Sequence, residues 1–148
     1  MAIAVRQAQI EWDGTLARGT GALSTGSGAL DQLPVTWAAR TEQPDGKTSP
    51  EELIAAAHAS CFAMALALVL GEAETPPEHL VVNAVCTLTE VDGAPQITNS
   101  QLDVRARVAG LDPAGFERHV SAASELCPVS KALRAGVQIT VHGELEPS

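Results

Sequence analysis

Aromatic residues are nearly absent: they make up 3% of the chain, with two Trp, two Phe and no Tyr. A core must therefore be built from Ala, Val and Leu, and the stacking platforms that bind nucleic-acid bases are excluded. Basic residues are also scarce. Nine Lys and Arg stand against 18 Asp and Glu, a formal charge of −9, so the sequence carries no phosphate-binding stripe and points away from nucleic acid and anionic membrane. Cysteine is limited to three residues, too few and odd in number for a disulfide framework. No export signal is read at the start, where Met1–Val5 leads directly into charged and polar residues, and a cytoplasmic location is expected. No internal repeat and no low-complexity tail is seen.

What is present is enough apolar residue, 45% of 148, for one globular domain spanning 1–148. The longest apolar run is TSPEELIAAAHASCFAMALALVLG, Thr48 to Gly71. It opens as a helix should. Ser49 is the N-cap, Pro50 occupies the first helical position, and Glu52 at N3 completes a capping box; Gly71 is the expected stop. About 20 residues of helix, roughly 30 Å, lie between them. The run is long enough to be weighed as a membrane span. His58, Ser60 and Cys61 within it, its Ala content and the acidic Glu72 and Glu74 beyond it favour a buried central helix instead.

Residues 3–12 read as a strand, Asp13-Gly14 as a hairpin turn, and Leu16 to Leu30 as a second strand breaking into a Gly- and Ser-rich loop. Val35 to Thr41 reads as a third strand, with Thr36, Ala38 and Arg40 on one side. After the long helix, Leu80–Val91 and a return strand to about Val108 flank Asp92-Gly93, the clearest hairpin turn. Asp112 caps a second helix with Phe116, Val120 and Leu126 as its apolar positions. A short helix follows over Pro128–Ala135, and Val137–Leu145 is a last strand. The order βββ-α-ββ-α-α-β, without βαβ alternation, predicts an α+β fold with mainly antiparallel sheets.

Two thiols stand in notable settings. Cys127 precedes Pro128 at the start of a short helix, where the backbone dipole favours a thiolate. Local physics alone makes it the reactive one. Cys61 sits mid-helix, where cysteine is ordinarily an inert small hydrophobe, and it needs a cation brought from elsewhere to act as a nucleophile. Cys86 faces the core from a strand and reads as packing. His58 reads as a hydrogen-bonded helix residue, and Ser130 and Lys131 as capping and surface positions. A metal site drawn from three Cys and four His lacks ligand spacing. A Cys61–His58 hydrolase lacks an orienting third group.

SPEELIAAAHASCFAMAL (Ser49–Leu66) together with CPVSKAL (Cys127–Leu133) resembles the OsmC/Ohr family, the osmotically inducible and organic hydroperoxide resistance proteins. The segment GTGALSTGSGAL (Gly19–Leu30) is similar to the stretch preceding the arginine strand of the OsmC branch, and His58, where the Ohr branch commonly has an aromatic, favours that branch. The resemblance covers nearly the whole chain. It implies a Cys-based peroxidase acting on organic hydroperoxides and hydrogen peroxide, without a cofactor. Cys61 matches the peroxidatic cysteine and Cys127 the resolving one, giving a Cys61–Cys127 disulfide. Arg40 matches the arginine that favours the Cys61 thiolate, and Glu51 the glutamate that holds Arg40 by a bidentate pair. An external dithiol, lipoyl or other, resets the pair. The resemblance also implies an interwound homodimer, which would cover an all-apolar helix. Leu53, Phe62, Met64 and Val129 are expected as apolar walls. The alternative is a protein of the same fold that senses redox state or binds a small molecule without turnover.

Overall fold

The computed structural model describes Met1–Pro147 as two compact units, Met1–Leu53 and the chain from Ile54 onward. In the first, β1 (Ala8–Asp13), β2 (Thr20–Thr25) and β3 (Leu33–Val35) form an antiparallel sheet in that order. The predicted Asp13-Gly14 hairpin is a longer connection, since β2 begins only at Thr20. Gly14 adopts φ +95°, a backbone region open chiefly to glycine.

The predicted third strand is corrected. It ends at Val35, and Trp37–Thr41 is a short helix, α1. The cause is local: the Thr36 hydroxyl accepts from the Ala39 amide at 3.1 Å, an N-cap that outcompetes the extended alternation, and Ala38 and Ala39 favour the turn. Trp37 and Arg40 thus lie three apart on one helix face, and the Arg40 guanidinium sits 5.8 Å from the Trp37 ring centroid.

The helix α2 (Pro50–Glu72) begins as expected, with the Glu52 amide donating to Ser49 Oγ at 3.2 Å. It runs past Gly71. The residue that ends it in the left-handed conformation is Glu74, φ +60°. Thr75 N donates to the Leu70 carbonyl at 2.9 Å and Glu74 N to that of Gly71 at 3.1 Å, a Schellman arrangement with glutamate in the place usual for glycine. By length and composition α2 could cross a membrane, and 28% of its most apolar window is buried. Within the single chain Met64 and Leu68 of this helix are 70% and 55% exposed.

In the second unit β4 (His79–Val91) and β5 (Ala94–Arg107) form a long hairpin. Its turn residues Asp92 and Gly93 have φ +52° and +80°, as a type I′ turn requires. The helices α3 (Pro113–Leu126) and α4 (Pro128–Leu133) lead to β6 (Gln138–Leu145), which pairs parallel to β5. The β5–α3–α4–β6 crossover follows the expected order of elements, but it makes this one pairing parallel in sheets that are otherwise antiparallel. An alternating half-buried strand looks the same in either direction, so its pattern does not announce parallel pairing. On α3 the buried face is Phe116, Val120 and Ala123, continued by Cys127, while Leu126 is exposed. Gly143 lets this helix lie close to β6, because a Cβ there would meet Phe116 and Val120 carbons at 3.0 Å. The core of the unit joins Phe62, Leu66 and Leu70 of α2 to Leu102, Val104 and Ala106 of β5 and to the α3 face.

Candidate redox site and its buried supports

Arg40 and Glu51 pair within the first unit. Arg40 Nε lies 3.0 Å and 3.2 Å from the two Glu51 carboxylate oxygens, and Nη2 lies 2.8 Å from Oε1. Glu51 is buried and Arg40 partly exposed, so the pair is only partly screened by water. The planar fork presents two nitrogens to one carboxylate, which a lysine could not do. Arg40 reaches this pairing from a helix rather than from the predicted strand.

Within the second unit, Cys61 and Cys127 come together. They lie near enough for each to shift the titration of the other, and neither is in a disulfide. Cys127 Sγ accepts from the Ser130 amide at 3.5 Å, and as N-cap of α4 it is fully buried. Cys61 is partly open. The two thiols are pushed apart electrically. Burial raises Cys61, and the hydrogen bond and charge of Cys127 raise it further, against a lowering by the Val129 amide. Burial raises Cys127 as well, but hydrogen bonds from the Ser130 amide, the Ser130 hydroxyl, the Cys61 thiol and the Val129 amide outweigh it, so its titration lies below that of an ordinary thiol. In this unit taken alone, Cys127 is the more readily ionised of the two thiols.

Behind the thiols lies a wholly buried polar cluster. His58 Nδ1 is 2.6 Å from Ser100 Oγ and Nε2 is 2.7 Å from Ser130 Oγ. All three residues are 0% exposed. Burial lowers the His58 titration, so the ring is neutral at ordinary pH. Ser130, expected at the surface, is corrected to the interior. Ser100 carried no signal, because its partner lies 42 residues away in the chain. Phe62, expected as a site wall, is corrected to core, with no exposed surface. Cys86 is half-buried and stands opposite Ser100 in the β4–β5 register. Among the described residues, no three His, Cys, Asp or Glu side chains gather as metal ligands do.

An α+β fold in which a mid-helix thiol and a helix-capping thiol lie in one unit defines a dithiol protein. Comparison with known proteins agrees on lineage. Residues 43–142 match the family model described as OsmC-like protein. Peroxiredoxin OsmC of Escherichia coli K12 is 41% identical over 141 residues, 95% of this chain and 96% of that protein. Organic hydroperoxide resistance protein-like 1 of Staphylococcus epidermidis is 32% identical over 70% of this chain and 75% of its own. The crystal structure of the organic hydroperoxide resistance protein OhrB of Bacillus subtilis superposes with a TM-score of 0.71 at 26% identity, covering 93% of this chain and 98% of that one. The chain belongs to the OsmC family.

Proposed function

We propose that the protein is a thiol-dependent peroxidase that reduces organic hydroperoxides, and hydrogen peroxide as well, using Cys61 and Cys127. The observation that carries this reading is the pairing of the two thiols, one partly open and one buried, in a chain 41% identical to a protein named peroxiredoxin. Two further relatives are named organic hydroperoxide resistance protein-like 1 and organic hydroperoxide resistance protein, which supports the substrate class.

The peroxide must reach sulfur, and this favours Cys61 as the attacking thiol even though Cys127 is the easier to ionise. Loss of the Cys61 proton then needs a cation. Arg40, held by Glu51, is the group assigned to it, an assignment that rests on the family resemblance. The thiolate attacks one peroxide oxygen; an S–O bond forms, the O–O bond breaks, and the alkoxide leaves and takes up a proton. Cys61 is now a sulfenic acid. Cys127 thiolate attacks its sulfur, the S–S bond forms, and hydroxide leaves as water. An external dithiol exchanges through a mixed disulfide and returns both thiols. The lowered titration of Cys127 suits the second step, since its thiolate is the easier of the two to form.

A homodimer accompanies this reading. The exposed Met64 and Leu68 on α2 form an apolar surface that a second copy would cover. Sedimentation of the reduced protein tests it, with a dimer expected and a monomer at micromolar concentration opposing it.

Turnover with tert-butyl hydroperoxide and a dithiol tests the function. Cys61→Ser should abolish turnover, and Cys127→Ser should stop at a single oxidation of Cys61. Undiminished turnover of Cys61→Ser would refute the peroxidase reading as written. A single stoichiometric oxidation of the native protein, without repeated turnover, favours a redox sensor.

A further inference from the structure

The peroxidase chemistry above makes no use of His58, which is buried completely and bonded at both ring nitrogens. Its partners settle what it can do. Ser130 Oγ carries one proton and stands 2.7 Å from one acceptor, His58 Nε2, in a residue whose amide lies 3.5 Å from a second, the Cys127 sulfur. That proton can go to only one of them. If the ring carries its proton on Nδ1, then Nε2 is an acceptor, the Ser130 proton is drawn to it, and the sulfur loses the hydroxyl. If the ring carries its proton on Nε2, the ring donates to Ser130 Oγ and the Ser130 hydroxyl must donate elsewhere. The Ser100 hydroxyl, 2.6 Å from Nδ1, then donates to it. A donor to a charged sulfur is worth roughly twice a neutral one, so the second arrangement is the stable one whenever Cys127 is ionised.

We propose that His58 is a positioning residue for the resolving thiol: as the neutral Nε2–H tautomer, with Ser100 donating to its other nitrogen, it turns the Ser130 hydroxyl onto the Cys127 sulfur. The directed chain runs from Ser100 O–H to His58 Nδ1, from His58 Nε2–H to Ser130 Oγ, and from Ser130 O–H to Cys127 Sγ. Every donor in it is used, in keeping with the absence of unpartnered buried side-chain polar atoms among the described residues. The Ser130 amide already donates to the same sulfur at 3.5 Å, so one residue supplies Cys127 with two donors. Two other ionisable groups stand near. Cys61 faces Cys127 from α2, and Glu125, at the end of α3, is exposed and paired with Arg134 at 3.3 Å. Calling Cys127 the resolving thiol rests on the peroxidase reading; the orientation of the chain does not.

The test needs no peroxide, so its failure is distinct from failure of that reading. In a background of Cys61→Ser and Cys86→Ser, ultraviolet thiolate absorbance titrates Cys127 alone. Ser130→Ala and His58→Leu should each raise the Cys127 midpoint by about one pH unit, a tenfold smaller thiolate fraction. His58→Gln, whose amide offers a donor and an acceptor in similar places, should recover most of that shift. An unchanged midpoint in Ser130→Ala or His58→Leu overturns the proposal, as does a His58→Gln midpoint as high as that of His58→Leu. Should these variants not fold, the native protein answers directly: imidazole nitrogen chemical shifts of a protonated Nε2 and a bare Nδ1 support the chain, and the opposite tautomer overturns it.

Discussion

The two units solve the same problem with different means. From Ile54 onward, apolar side chains from α2, β5 and α3 close on one another in a continuous core. In Met1–Leu53 all six β1 residues are exposed, and the interior positions go to Gly19, Gly21, Ala39, Thr48 and Glu51. There, backbone pairing, the Thr36 cap and the Arg40–Glu51 pair take the place of a core. Ile10 and Trp12 pack over Gly21, where a Cβ would come within 2.8 Å and 3.0 Å of them, yet both remain 40% exposed or more. The lesson is that a core fixes thiols in place, whereas a small polar layer can hold a cation in a defined pose without burying much area.

The contrast predicts unequal sensitivities. The largest loss belongs to the second unit: Phe116→Ala, removing a ring that is 1% exposed, should cost about 3–5 kcal/mol by denaturant unfolding. A loss under about 1 kcal/mol would mean the core is not what holds this unit. In the first unit Glu51→Gln should cost less, about 1–3 kcal/mol, because Arg40 keeps part of its hydration while losing an ionic partner. Its effect on peroxidase turnover should be larger than its effect on stability; equal effects would assign the pair to structure alone.

A smaller effect separates the units by pH. His58 titrates below its unfolded value because it is buried, so its contribution to stability is complete above about pH 6.5. As pH falls below that value the unfolded chain binds the proton first, and stability declines until the folded ring titrates. Thermal midpoints followed downward from pH 7 should show this decline, and His58→Gln should lack it. A decline of equal size in the variant would trace it to other groups. Smallest is Glu74→Gly, at φ +60°, which should stabilise the end of α2 by about 0.5–1 kcal/mol. Destabilisation by that exchange would mean that the Glu74 side chain matters more than its backbone.

What the sequence disclosed follows from the range of each signal. Ser49, Pro50 and Glu52 announce the start of α2, Asp112 that of α3, and Asp92-Gly93 the long hairpin, because each acts on residues within four positions. The same locality misled at Val35–Thr41, where alternation suggested a strand and the Thr36 cap made a turn of helix. Direction of β6 was invisible for want of any local mark. Cys127 was marked by its place before Pro128, whereas the roles of Cys61, Arg40 and Glu51 came from family resemblance; of these, Arg40 and Glu51 pair through bonds of 2.8–3.2 Å. Ser100 and Ser130 escaped because their bond to His58 spans 42 and 72 residues, and a lone serine has no pattern.

Mass spectrometry after one equivalent of tert-butyl hydroperoxide, with peptides mapped without reduction, tests the account most directly. It predicts a single Cys61–Cys127 disulfide with Cys86 left as a thiol. Three free thiols after treatment, or a disulfide that includes Cys86, would contradict it.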